Sequence, residues 1–571
     1  MTTYAAELGA VSRYPNTLCI ATLDRCANTC GSSPCTATGT KCWNTYFTCK
    51  DKAHFSKTTL DHEYTSVKSP LPFPGPRPYI DDVKYIPTEI KDNLTISGRV
   101  SITLRDEPEL TDIGLDPYYS TRSTIQGTYA KKLVARNPNY KGRPVKIYNG
   151  FYGLAKGDFV QRFDGIIDNI TIKRGGWVIE VADLLKKLAD IDVPAKSTIK
   201  LAAAIDATQV QLSLTDATDL DAANGYVRIG DEIIFYLLKT GNQLSGCIRG
   251  CFSTTAEAHN QNDKVQKCRY YAPQSAYDIL LAMLQTDAGI AAGSIDSTAF
   301  ALWKAFDADM PYFSAIISEP IKLSKLFFEI IDLIDCKCWV GEDLKITIRK
   351  NLPNYPGRTY QTFTDADNII ANSISVDLNA KSRVSRISIY WNKTAIGKDE
   401  EISSYNCLDV FTDVEGEGAN LYNESVEKKV YCRWLRLDYM DEDLVIAYMR
   451  RVGARMLRLC KNPLPIITFD VELKDSGVKT GDMVKITTSA LCEADGSPLT
   501  NVVSQIVKRE EKGNKVSLRA MKFPKQKVGF IQSATGAVDY TSATDAQKEY
   551  GFIASATTNQ MSNGDEAYYT Y

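Results

Sequence analysis

Thiolate chemistry is the first that this sequence offers. Cys19, Cys26, Cys30, Cys35, Cys42 and Cys49 fall within 31 residues, where an even spread of the chain's fifteen cysteines would put roughly one. The segment CANTCGSSPCTATGTKCWNTYFTC is rich in Gly, Ser, Thr and Asn and has little apolar material for a core. Such a stretch holds a fixed shape only when something other than burial pins it, and disulfides or a bound metal centre are the two candidates. The gaps read C-x6-C, C-x3-C, C-x4-C, C-x6-C and C-x6-C. Structural zinc sites pair tight C-x2–4-C knuckles with a second knuckle or with histidines. Cys26–Cys30 and Cys30–Cys35 fall in or near that range, but Cys42 and Cys49 form no second knuckle. His54 offers a further zinc ligand, although an exposed loop histidine is its ordinary reading. Long, irregular gaps also suit an iron–sulfur cluster, whose four thiolates need only converge on one core. Spacing alone leaves these alternatives open.

Other reactive groups are sparse. The histidines are His54, His62 and His259. None belongs to HExxH, and the chain contains no GxSxG elbow. It also lacks a Walker A loop and a GxGxxG after a strand. His259 lies in TTAEAHN and reads as a surface histidine. No spacing singles out a carboxylate pair, so the expectation is a protein that is not an enzyme. With a net charge of −2 and no Lys/Arg stripe, the chain shows no nucleic-acid footprint. The opening MTTYAAELGAV has no signal-peptide pattern. The most apolar run, Phe327 to Ile334, is broken by Glu329 and Asp332 and is too short to span a bilayer. Synthesis in cytosol follows as the expectation, and thiols stay reduced there. An odd cysteine count also prevents complete pairing. The nine cysteines outside the cluster read as small buried hydrophobes.

The elements that must position the cysteines are mostly strands. The fold class expected is mainly β with some α, an α+β multidomain chain of barrel- or sandwich-like β-domains. Residues 1–75 read as the cysteine-rich module, ending in the breaker-rich SPLPFPGPRP. Residues 76–194 read as a β-domain, in which Val100, Ile102 and Leu104 alternate with polar residues. Val145–Tyr148 and Ile166–Ile172 look alike, and a short helix is expected at Asp183–Ala189. Residues 195–272 read as a small inserted β-domain with Gly/Asn/Asp turns. In 273–350 the period changes. Ser275 and Asp278 have capping-box spacing ahead of a helix, and Leu323, Leu326, Phe327, Ile330 and Ile334 mark a second. A hairpin follows, Cys336–Val340 against Leu344–Ile348. Residues 351–530 read as a second β-domain, with a third helix after Asp441 and a strand at Ile467–Leu473. Residues 531–571 read as an extended tail that a partner orders.

Several strings together resemble the tail-tip, or baseplate-hub, proteins of long-tailed bacteriophages. The block RCANTCGSSPCTATGTKCWNTYFTCKDKAHF is similar to their cysteine module. SGRVSITLRD (Ser97–Asp106), VARNPNYKGRPVKIYNG (Val134–Gly150), FDGIIDNI (Phe163–Ile170), YVRIGDEII (Tyr226–Ile234), RG…TTAEAH…D-x-V (Arg249–Val265) and TGDMVKIT (Thr480–Thr487) extend the likeness from about residue 20 to 520. The resemblance implies that the recurring cysteines are Cys26, Cys35, Cys42 and Cys49, and that they hold a [4Fe–4S] cluster, as in the lambda tail-tip protein. Zinc is the alternative. Cys19 and Cys30 depart from the family pattern. The resemblance also implies a homotrimeric ring in the virion, at the tail tip, made in the host cytoplasm. Its expected neighbours are the distal tail protein and tail tube, the tape measure protein and a central spike or fibre. The 31 tyrosines suit interfaces. The alternative function is a host-surface or glycan-binding module with a zinc- or disulfide-stabilised N-terminal domain.

Overall fold

The computed structural model describes residues 4, 14–27, 45–49, 51–68, 71–91, 94–96, 98–108, 127–350, 360–378, 382–437, 440–462, 464–472, 475, 477–492, 496–512, 515–522, 542 and 544. The fold is mainly β with a minority of helix and several separate sheets, as the sequence leads one to expect.

Cys19 and Cys26 are carried by the first sheet. Its strands are β1 (Pro15–Cys26), β2 (Lys57–Thr65), β3 (Ile80–Ile86), β4 (Arg99–Arg105), β5 (Pro144–Phe151), β6 (Val160–Lys173) and β7 (Gly176–Asp183). They pair antiparallel in the order β2-β1-β5-β6-β7-β4-β3. In β4 the alternation puts Val100, Ile102 and Leu104 inward, each wholly buried. They meet Cys19, Ala21 and Leu23 of β1 and Trp177, Ile179 and Val181 of β7 in one core. Helix α1 (Tyr129–Arg136) closes that core with Tyr129, Ala130 and Leu133. Asp106 accepts from Ala130 N at 2.9 Å and from Thr128 Oγ1 at 2.6 Å, which satisfies the helix start. The sheet curls, so Tyr64 of β2 meets Trp177 of β7 ring to ring at 5.7 Å.

This sheet corrects the expected separation at residue 75. β1 pairs with β2 on one side and with β5 on the other, from Pro15↔Phe151 to Ala21↔Val145. The cysteine-rich stretch is therefore a connection between two neighbouring strands of the sheet, not a unit placed ahead of it.

The inserted residues build a second sheet around their own core of Leu201, Leu212, Val227, Ile229, Ile234, Tyr236 and Leu244. Ala223–Ile229 and Glu232–Thr240 are joined by a two-residue turn in which Gly230 takes φ +57, the left-handed conformation such hairpins need. Helices at Ala276–Ala282, Ser297–Phe306, Leu323–Leu333 and Glu442–Cys460 share a third core with the hairpin Cys336–Val340/Ile346–Lys350. The three-stranded sheet of Tyr405–Thr412, Arg386–Lys393 and Glu427–Tyr431 packs on the same core. The expected capping box is absent: Ser275 makes no side-chain cap bond, and Asp278 pairs with Lys304 at 2.7 Å instead. A last sheet, with Phe363, Phe469, Val484, Ile506 and Leu518 in its core, ends at Lys522. The tail expected from 531 onward lies, apart from 542 and 544, outside the described residues. Among the described residues, no helix is long and apolar enough to cross a membrane.

Candidate functional site

Cys26 is the last residue of β1 and pairs across to Lys57, the first of β2. Ala27 N donates to Ser56 O at 2.6 Å, so the chain leaves and re-enters the sheet at adjacent points. Residues 28–55 connect these two points. The returning limb is fixed before β2 begins. Cys49 N donates to Thr45 O at 2.9 Å, and Thr45 N to Thr48 Oγ1 at 3.1 Å, closing a turn. Thr45 Oγ1 donates to the Arg136 carbonyl at 2.5 Å, which ties the turn to the C-terminal end of α1. The Cys49 thiol donates to Asp51 O at 3.2 Å.

Cys26 and Cys49 are 2% and 7% exposed, and neither is in a disulfide. Of the four cysteines that the family resemblance singles out, these two stand on the same connection. Cys35 and Cys42 lie outside the described residues, as does Cys30. Among the described residues, no group of three or more His, Cys, Asp and Glu side chains is placed to hold a metal ion. Cys26 and Cys49 are buried thiols outside any disulfide, and thiols are the donors that iron–sulfur clusters and zinc sites use.

The other candidates separate cleanly. Cys19 points to the opposite face of β1, into the apolar core with Ala21 and Leu23. It is wholly buried, and burial pushes its thiol up to about 12. A thiol held protonated in hydrocarbon is a packing residue rather than a ligand. His54 is half exposed and pairs with Asp51 at 2.9 Å, the ordinary surface reading. His62 is buried, with Nδ1 3.0 Å from the Tyr129 hydroxyl. Burial, then Arg77 and Arg25, lower its pKa to about 3. Of the nine remaining cysteines, Cys247, Cys268, Cys336, Cys338 and Cys432 are buried, Cys251, Cys407 and Cys460 are partly so, and Cys492 is exposed.

His259 corrects the expectation of a surface histidine. It is 6% exposed, and its Nε2 lies 2.8 Å from Glu232 Oε2. Arg249 grips the same carboxylate with Nε at 2.8 Å and Nη2 at 2.7 Å. Gly250 N donates at 2.9 Å and Glu257 N at 3.3 Å. Burial works against this charge, but the bonds from Arg249 and His259 outweigh it and hold Glu232 below the usual carboxylate range. The strings YVRIGDEII and RG…AH are thus two halves of one buried clamp. A Glu in the first and an Arg and His in the second were the available signal for it.

The chain is similar to several solved structures. The 43 kDa tail protein of prophage MuSo2 from Shewanella oneidensis is 9% identical with a TM-score of 0.36, over 77% of this chain and 92% of that one. The tail protein from Neisseria meningitidis MC58 is 9% identical with a TM-score of 0.34, over 88% and 96%. Prophage tail protein gp18 from Listeria monocytogenes EGD-e is 10% identical with a TM-score of 0.33, over 78% and 88%. No family model and no curated protein matches the chain.

Proposed function

We propose that this chain is a structural subunit of a phage tail tip, a trimeric ring that joins the end of the tail tube to a central spike or fibre. In this reading Cys26, Cys35, Cys42 and Cys49 hold a [4Fe–4S] cluster whose role is architectural. The cluster cross-links a connection too polar to fold by burial, as bound metal supplies folding free energy in small metallo-domains. Sheet and α1 supply the rest: β1 and β2 fix Cys26, and the turn tied to Arg136 fixes Cys49. The single observation that carries the reading is the pair of buried, unbridged thiols, Cys26 and Cys49, on one strand-to-strand connection. The family's cysteine pattern supports the other two positions.

The test is purification without oxygen, followed by iron and sulfide analysis and visible absorption. The expected protein is brown, and Cys35→Ser loses the colour. Folded protein that carries zinc or no metal sinks the cluster. Light scattering on the same sample reads the oligomer, with three copies expected, and a stable monomer contradicts the ring.

A further inference from the structure

A cavity of about 380 Å³ opens beside the returning limb of the β1–β2 connection, within the range of roughly 300–1,000 Å³ common to small-molecule sites. Four rings, Tyr46, Phe47, Phe55 and Tyr140, line it. Tyr46 and Phe47 are 54% and 62% exposed, an unusual display for large apolar side chains. Tyr46 is braced edge-on by Phe55 at 5.3 Å and has the Lys52 ammonium 5.2 Å from its centroid. The polar part of the lining is charged but self-neutralised. Asp24 pairs with Lys57 at 3.2 Å and with Arg143. Asn137 and Asn139 add carboxamides.

We propose that this cavity binds a neutral saccharide. Aromatic faces suit the C–H faces of a pyranose ring, and their exposure leaves them free to stack. Carboxylate, guanidinium and carboxamide groups held in fixed geometry suit adjacent hydroxyls, which both donate and accept. An ionic ligand gains little, because Asp24, Lys57 and Arg143 already compensate one another. A wholly apolar ligand strips water from the Asn137 and Asn139 carboxamides without replacing it. The proposal rests on neither the tail reading nor the cluster.

The test is saturation-transfer NMR on the full chain with methyl glycosides of glucose, galactose, N-acetylglucosamine and rhamnose. Transfer to at least one sugar is expected, and it should fall about tenfold or more in Phe47→Ala or Asn139→Ala, the loss that one stacking or hydrogen-bonding group carries. Both side chains are exposed, so circular dichroism should match the parent. Val414→Ala, an exposed apolar residue on another domain, should leave transfer unchanged. Transfer to none of the four sugars overturns the proposal, and so does transfer that survives both cavity variants or that disappears in Val414→Ala.

Discussion

At the scale of residues, the chemistry of each cysteine and histidine is set by the face on which its strand presents it. Cys19 and Cys26 share β1 and differ by an odd number of positions, so they project to opposite sides. Under the proposed cluster, Cys19→Ser should leave the iron content unchanged while costing about 1–3 kcal/mol, because a hydroxyl enters a core without a partner. Iron analysis beside urea unfolding separates the two effects. His62 and Asp183 belong to the same sheet and pull stability in opposite directions. Burial raises Asp183 to about 7, against hydrogen bonds from the Gly98 and Leu185 amides. The unfolded chain then carries one proton fewer than the fold at Asp183 between about pH 4 and 7, and stability falls as pH rises through that window. At His62, with its folded value about 3, the unfolded chain carries one proton more between about pH 3 and 6.5, so stability rises with pH. The two slopes, each about 1.4 kcal/mol per pH unit, cancel between about pH 4 and 6.5. His62→Gln should unmask a decline across that range and Asp183→Asn a rise, read as urea midpoints at stepped pH. A flat profile in both variants contradicts the assignment. His259 was misread because its neighbours in sequence are polar. The partners that bury it, Glu232 and Arg249, lie 27 and 10 positions away.

At the scale of elements, what was legible in the sequence was whatever buries one face only. Strand β4 and the strand Ile466–Glu472 alternate cleanly and were visible as periods. The helix Glu442–Cys460 was marked by its acidic start, where Asp441 accepts from Asp443 N at 2.9 Å. β1 was not legible, because both of its faces are covered: Leu18 and Ile20 join one cluster while Cys19, Ala21 and Leu23 join another. A strand buried on both sides shows no period of two. β2 was hidden for a different reason. KTTLDHEYT looks polar, and the residues it turns inward are His62 and Tyr64, which meet Tyr129 at 3.0 Å each. The cysteine cluster was conspicuous, yet its place between paired strands depends on long-range register that local pattern does not carry. Gly453 gives an element-scale test. Glycine within a helix normally gains about 1 kcal/mol on becoming alanine. Here an added Cβ would lie 2.1 Å from the Phe411 ring of the strand Tyr405–Thr412. Gly453→Ala should therefore destabilise by about 1–3 kcal/mol, and Phe411→Leu in the same chain should recover part of the loss in thermal unfolding.

At the scale of the whole molecule, the cores are joined by shared strands and small apolar clusters, with polar and aromatic contacts beside them. Arg433 reaches Glu329 on the helix Leu323–Leu333 at 2.8 Å and Asp399 at 2.8 Å, joining that helix to the loop after the three-stranded sheet's central strand. Arg436 lies over the Phe252 ring at 5.4 Å and helps seat the inserted domain. The cysteine connection leaves and re-enters its sheet at a narrow neck, with Thr45 tied to the Arg136 carbonyl besides. Because Cys26 faces Lys57 and Ala27 bonds to Ser56, residues 28–55 can be exchanged for a short Asn-Gly-type turn without moving either strand. That shortened chain should keep the first sheet's cooperative unfolding and bind no iron. Loss of the sheet along with the segment contradicts the neck. A segment that leaves and re-enters a sheet at two adjacent strand ends is one whose gain or loss in a single genetic step leaves the register of the strands on either side untouched.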